Sequence, residues 1–269
     1  MRLGLALSSA FLFACATSSS AGKRFEPKEI PKDLVADVER AKKLGRAIWE
    51  NDIVSARATD VMVEAKVLPD APFHGWVTSQ GADGAYVVDF VTGLAGGSLA
   101  ATHEVRFEKG TPNEEDADAF NPPRPLAPAL AAMFRARTAA LSLVKTVCGN
   151  GLNPVVLPAS LAGKDGWLVY ILASSNRSQD RVMAGHHLFR VSQDGAEVLE
   201  ETPLSRSCLI DEVPKDAQPL FEAITHIVSP APMETHVYTS LLYRLPLYVR
   251  TDRGLWKVRG QEITFLGGP

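Results

Sequence analysis

The stretch Leu126–Gly151, LAPALAAMFRARTAALSLVKTVCGNG, divides the chain into two unlike halves. Ala129, Leu130, Ala132, Met133, Ala136, Ala140, Leu143 and Val144 place apolar groups on most sides of a helix, the pattern of one buried against a sheet. Arg135, Arg137 and Lys145 make the same segment a poor membrane helix. Cys148-Gly149-Asn150-Gly151 supplies glycines for a C-cap and a turn, so the spacing predicts a helix over 126–147. Gly149-Asn150-Gly151 is no dinucleotide fingerprint, because the third glycine and the bracketing strand and helix are missing.

Upstream of this segment, Leu34, Val35, Val38, Ala41, Leu44, Ile48 and Trp49 recur at helical spacing. Asn51-Asp52 reads as a break and a new N-cap, with a second helix from Ile53 to about Ala65. FHGWVTS (73–79) and AYVVDFV (85–91) then flank Gly81-Ala82-Asp83-Gly84 as strands flank a hairpin turn, and a third strand follows near 102–107. Residues 109–125, with their acids and prolines, are expected to form an exposed loop without regular structure. Glu114, Glu115, Asp116 and Asp118 lack the alternating ligands, turn glycine and closing glutamate of a calcium loop.

Downstream, short β-type runs dominate: 154–158, 167–173, 182–192, 196–202, 206–210, 224–228, 235–243, 246–250, 255–259 and 262–266. Asp194-Gly195, Asp252-Arg253-Gly254 and Arg259-Gly260 mark tight turns between them. The expected fold is therefore α+β, with N-terminal helices and a mainly antiparallel, β-rich C-terminal half around a buried Ala-rich helix. The globular region is expected over 23–269, either as one domain or as two subdomains meeting near 109–150.

At the N-terminus, Arg2 and the apolar run Leu3–Phe13 have the form of a secretory signal. Leu12-Phe13-Ala14-Cys15 resembles the lipobox of bacterial lipoproteins. The resemblance implies a diacylated Cys15 as the new N-terminus, a tether through Thr17–Ser20, and attachment to a membrane. Ala16 after the cysteine implies, by that family's sorting rule, the periplasmic face of the outer membrane. Cleavage after Ala21, following Ser19-Ser20, is the competing reading and would give a secreted soluble form. Either way residues 1–22 serve as signal peptide or lipid tether. Cys148 and Cys208 then remain as an even pair in an oxidising compartment, and one disulfide between them is expected.

A formal charge of −3 excludes a chain dominated by polyanion binding, so no nucleic-acid partner is expected. With 46% hydrophobic and 22% charged residues, the composition is that of an ordinary globular protein. No cofactor motif is present, and no cofactor is expected. His186, His187, His226 and His236 cluster in the β-rich half, with Glu234 two residues before His236. On a strand, Glu234 and His236 would share a face, and with His226 and one of His186 or His187 they would form a catalytic or zinc-like group. Tyr248 and Arg250 share one strand face, and Lys257 and Arg259 one face of the next; coincident faces would make a small basic surface. These features lead to two expectations. The first is an exported, envelope-associated binding module that meets an envelope protein or glycan. The second is an exported hydrolase built on the His/Glu group, with or without a metal.

Overall fold

The computed structural model describes residues 25–67, 73–107, 117–217 and 219–268. Cys15, the lipobox, the tether and Glu114, Glu115 and Asp116 lie outside them.

Helix α1 (Val35–Glu64) runs unbroken through Asn51 and Asp52, where a cap was expected. Both side chains are buried and find partners away from their own helix. Asn51 Nδ2 donates to Thr78 O at 3.5 Å, while Asp52 accepts from Asn153 Nδ2 at 2.8 Å and from Tyr238 Oη at 2.9 Å. Tertiary partners thus replace the backbone amide that a capping side chain would have satisfied.

One face of α1 feeds three apolar clusters in succession. Val38 and Ala41 pack with Leu247, Val249, Trp256 and Val258. Leu44 and Ile48 pack with Leu168, Tyr170, Leu172 and Tyr238. Val54, Ala58, Val61 and Met62 close over Val88, Phe90, Val105 and Phe107. Each fully buried Val, Leu, Ile or Met on this face contributes about 1.5–3 kcal/mol, so the helix acts as the common spine of the fold.

The first sheet is an antiparallel meander of β1 (Gly75–Gln80), β2 (Tyr86–Gly93), β3 (Leu99–Phe107) and β4 (Asp118–Pro125). Strand β4 corrects the 118–125 part of the irregular loop expected over 109–125, with Ala101 opposite Arg124 and Glu104 opposite Asp118; residues 109–116 lie outside the described residues. It is an edge strand, where prolines are tolerated because their missing N–H is not needed by a further neighbour.

Helix α2 (Pro128–Leu143) covers the second sheet, formed by β5 (Gly151–Pro158), β6 (Trp167–Ser174), β8 (His187–Val191) and β9 (Val198–Pro203) in that order. It stops short of the expected Val147, because Val144 is already extended and Lys145, Thr146 and Val147 are exposed, leaving no apolar face to bury. Strand β6 is buried on both sides. Val169 and Ile171 face the α2 cluster, while Leu168, Tyr170 and Leu172 face α1. This explains why its sequence is a continuous apolar run.

The segment 182–192 forms two strands, β7 (Asp180–Ala184) and β8, separated by Gly185 and His186; β7 pairs with β10 (Leu209–Glu212). The third sheet orders β11 (Glu222–Thr225), β12 (Leu247–Thr251), β13 (Gly254–Arg259) and β14 (Glu262–Gly267). Only its β11–β12 pair is parallel, and the connection between them is a helix where a strand was expected: α3 spans Glu234–Tyr243. Its first seven residues are all buried, so it presents no helical periodicity to read, and its β-branched residues imitate a strand. Gly45 lets α1 approach it; a Cβ there would stand 2.5 Å from Val237 Cβ and 2.6 Å from Glu234 O.

Candidate functional site

Cys148 and Cys208 form a disulfide with 5.4 Å between their Cα atoms, closing a separation of 60 residues. Gly185 lies against it with φ of +93°, and a Cβ there would come within 2.4 Å of Cys148 Cβ. Glycine is required by both the backbone conformation and the contact. The bridge anchors the segment Leu204–Ser207, whose Ser205 Oγ accepts from Gly185 N at 3.0 Å.

This segment forms one wall of a cavity of about 100 Å³, with the β7–β8 turn, the end of β11 and the start of α3 as the others. His186, His226 and His236 all line it. The rings of His226 and His236 meet edge to face, 4.6 Å between centroids and 88° between planes. His186 stands edge-on to Tyr238 at 6.0 Å.

The other two members of the expected group lie elsewhere. Because residues 234 and 236 sit on a helix, they do not share a face as they would on a strand. Glu234 Oε1 accepts from Tyr170 Oη at 2.8 Å, a buried pair on the side of the second sheet. His187 opens β8, where its Nε2 donates to Thr146 O at 3.3 Å and its ring stacks on Phe189. Among the described residues no three His, Cys, Asp or Glu side chains are placed to hold a metal ion. Ser240, the nearest serine on α3, donates to Leu245 O and accepts from Gly260 N, which ties down the end of the helix.

Burial dominates the electrostatics of the cavity. It lowers His186 to about 4, with the nearby His187 adding to the effect. It lowers His236 to about 3, with His226 and His186 contributing further. His226 is lowered by the same desolvation. All three imidazoles are therefore neutral at pH 7, which fits hydrogen bonding better than proton transfer near neutrality.

The basic surface takes a definite form. Tyr248 pairs with Lys257, and Arg259 with Glu262, so the outward faces of β12, β13 and β14 coincide. Leu247, Val249, Trp256 and Val258 alternate with these residues and are buried. Lys257 Nζ lies 6.0 Å from the centre of the Tyr248 ring, and Phe221 meets that ring edge-on at 5.3 Å. Leu220 and Phe221 extend the face with apolar groups that are 84% and 54% exposed.

Two features were not anticipated from the sequence. Arg206, on the exposed rim of the cavity, is the only formally charged side chain lining it among the described residues; its signal was its place two residues before the bridged Cys208. Arg137 is buried over Trp76 at 5.0 Å and beside Phe134 at 5.6 Å, and desolvation lowers it to about 10. Nothing in the sequence of α2 separates it from the exposed Arg135.

Comparison with protein-family models gives no match, and neither curated proteins nor solved structures show a significant similarity to the chain.

Proposed function

We propose that the chain is an exported, lipid-tethered envelope protein that acts as a non-enzymatic binding module, with the outward face of β11–β14 as its contact surface. The carrying observation is the coincidence of Tyr248, Arg250, Lys257 and Arg259 on one face, flanked by exposed Leu220 and Phe221. Cationic side chains beside exposed apolar groups suit an anionic head-group surface, because charge attracts while the apolar groups insert.

The tether favours the same occupant. Lys28 bridges to Phe265 on β14, so the chain reaches this sheet thirteen residues after Cys15. An extended segment of that length spans at most about 45 Å, which keeps the sheet close to the membrane holding the anchor.

Two experiments test the reading. Labelled fatty acid should enter the wild-type chain and not Cys15→Ser; a chain that is unlabelled and begins at Gly22 would remove the tether. Separately, the folded domain should sediment with anionic vesicles, and Lys257→Glu with Arg259→Glu should abolish that. Unchanged vesicle binding, or binding only to an envelope protein or glycan, would overturn the membrane surface as its target.

The hydrolase reading draws less support, because Glu234 is engaged with Tyr170 and the three cavity histidines are neutral at pH 7.

A further inference from the structure

The hydrogen bonds of the cavity histidines determine which nitrogens carry protons. His186 Nδ1 accepts from the backbone N–H of Ala173 at 3.0 Å, and His236 Nδ1 accepts from the backbone N–H of Met233 at 2.9 Å. A backbone amide can only donate, so each neutral ring must carry its proton on Nε2. His226 has the opposite form. Ser229 Oγ gives its one proton to Ala231 O at 2.6 Å, so at 2.7 Å it accepts from His226 Nε2 and leaves Nδ1 as a bare lone pair.

Among the described residues, His186 Nε2 is buried and finds no hydrogen-bond partner, on a side chain that is 5% exposed and lines the cavity. A buried donor left unpaired is costly, and in native structures such a donor is usually satisfied by a protein group, an ordered water or a bound ion. Arg206 stands at the rim, Ser205 and Ser207 lie in the wall, and among the described residues no Asp or Glu lines the space. Thr235 and His236 belong to the first turn of α3, where the helix dipole carries partial positive charge, although the His236 N–H is already donated to Met233 O at 3.0 Å.

We propose that this cavity is a binding site for a small oxyanion, a phosphate or a short carboxylate, held by the Nε2–H groups of His186 and His236 and by Arg206. The proposal is independent of the sheet surface and the tether. The ligand class follows from the direction of the hydrogen bonds at His186 and His236; His226, with its unprotonated Nδ1, offers a single cation ligand, and among the described residues no three side chains are placed to hold a metal ion. A histidine that binds a metal normally donates its second ring N–H to an acceptor. Here the second nitrogen of His186 and of His236 is itself an acceptor for a backbone amide, so Nε2 has no free lone pair for a cation. The cavity volume of about 100 Å³ is large enough to accommodate a small oxyanion.

The test is a titration of the disulfide-bonded protein with inorganic phosphate, with acetate and zinc as separate arms. Histidine side-chain nitrogen resonances and calorimetry are the readouts. Phosphate or acetate should give saturable shifts at His186 and His236 Nε2, and whichever binds more tightly identifies the phosphate or carboxylate source. Arg206→Gln, an exposed change that leaves the fold intact, should weaken binding roughly tenfold or more. His236→Gln keeps an acceptor for Met233 N–H and should weaken it as well. No saturable shift from either anion, binding indifferent to both substitutions, or zinc binding at Nε2 in place of anion binding would each overturn the proposal.

Discussion

Tyr238 Oη donates to Asp52 Oδ2 at 2.9 Å, joining two residues 186 positions apart on α3 and α1. Asp52 also holds Asn153 on β5, so one buried carboxylate ties together the spine, the second sheet and the crossover helix. Burial raises its pKa, against the opposing effect of the Tyr238 and Asn153 hydrogen bonds. Tyr238→Phe removes one donor and should cost about 1–2 kcal/mol. Asp52→Ala strands both partners and should cost roughly 2–5 kcal/mol. Urea unfolding measures both, and a Tyr238→Phe protein as stable as the wild type would show that the bond contributes nothing.

Gly45→Ala sets two effects against each other. Alanine favours the helix by about 1 kcal/mol. Its Cβ would meet Val237 Cβ at 2.5 Å and the carbonyl oxygen of Glu234 at 2.6 Å, and the backbone atom cannot rotate away. Overpacking of this kind costs about 1–3 kcal/mol or more, so net destabilisation is expected. A stabilised Gly45→Ala protein would mean that α1 and α3 can separate without loss.

Breaking the Cys148–Cys208 bridge with paired alanines should lower stability by about 4 kcal/mol for a 60-residue separation. The same change frees the wall Leu204–Ser207, so hydrogen exchange at Gly185 and Ser205–Ser207 should accelerate before global unfolding. Equal protection with and without the bridge would show that the wall is held by other contacts.

The buried histidines impose a pH dependence whose sign can be worked out. With His186 at about 4 and His236 at about 3, the unfolded chain, near 6.5, takes up protons that the folded chain refuses. Stability therefore falls as pH drops below about 6.5, by about 1.4 kcal/mol per unit for each ring. Asp89, raised by burial to about 6, acts in the other direction between about 4 and 6, because there the folded state holds the extra proton. The histidine contribution is isolated by comparing the wild type with His236→Gln, whose stability should fall less steeply between pH 6 and 4.5. Parallel curves would mean that His236 ionises freely in the folded protein.

Much of the β architecture was legible because its pattern is local. The 73–91 hairpin has its turn residues between two apolar runs, and β12 and β13 alternate buried and exposed side chains at period two. The α2 helix was legible from its apolar surface, though its last turn was not. Burial on every side removes such a pattern. The first seven residues of α3 are enclosed, so period 3.6 and period 2 cannot be told apart along it, and a strand period puts Glu234 and His236 on a common face. Asn51-Asp52 misled for the converse reason, since polar residues that cap a helix locally can also serve as buried partners of distant elements.

The sequence by itself determined the α+β class, the hairpins, the cysteine pair and the alternation that sends Tyr248, Arg250, Lys257 and Arg259 to one side of a sheet. These follow from local conformational preference and from side-chain period along a single element. Only the tertiary structure decided that His186, His226 and His236 share a cavity while Glu234 and His187 do not. It also decided that Nε2 carries the proton on the first and the last of these rings. Both depend on which backbone amides and walls the fold brings from Ala173, Met233 and Ser205–Ser207, and no periodicity in the chain encodes those distances.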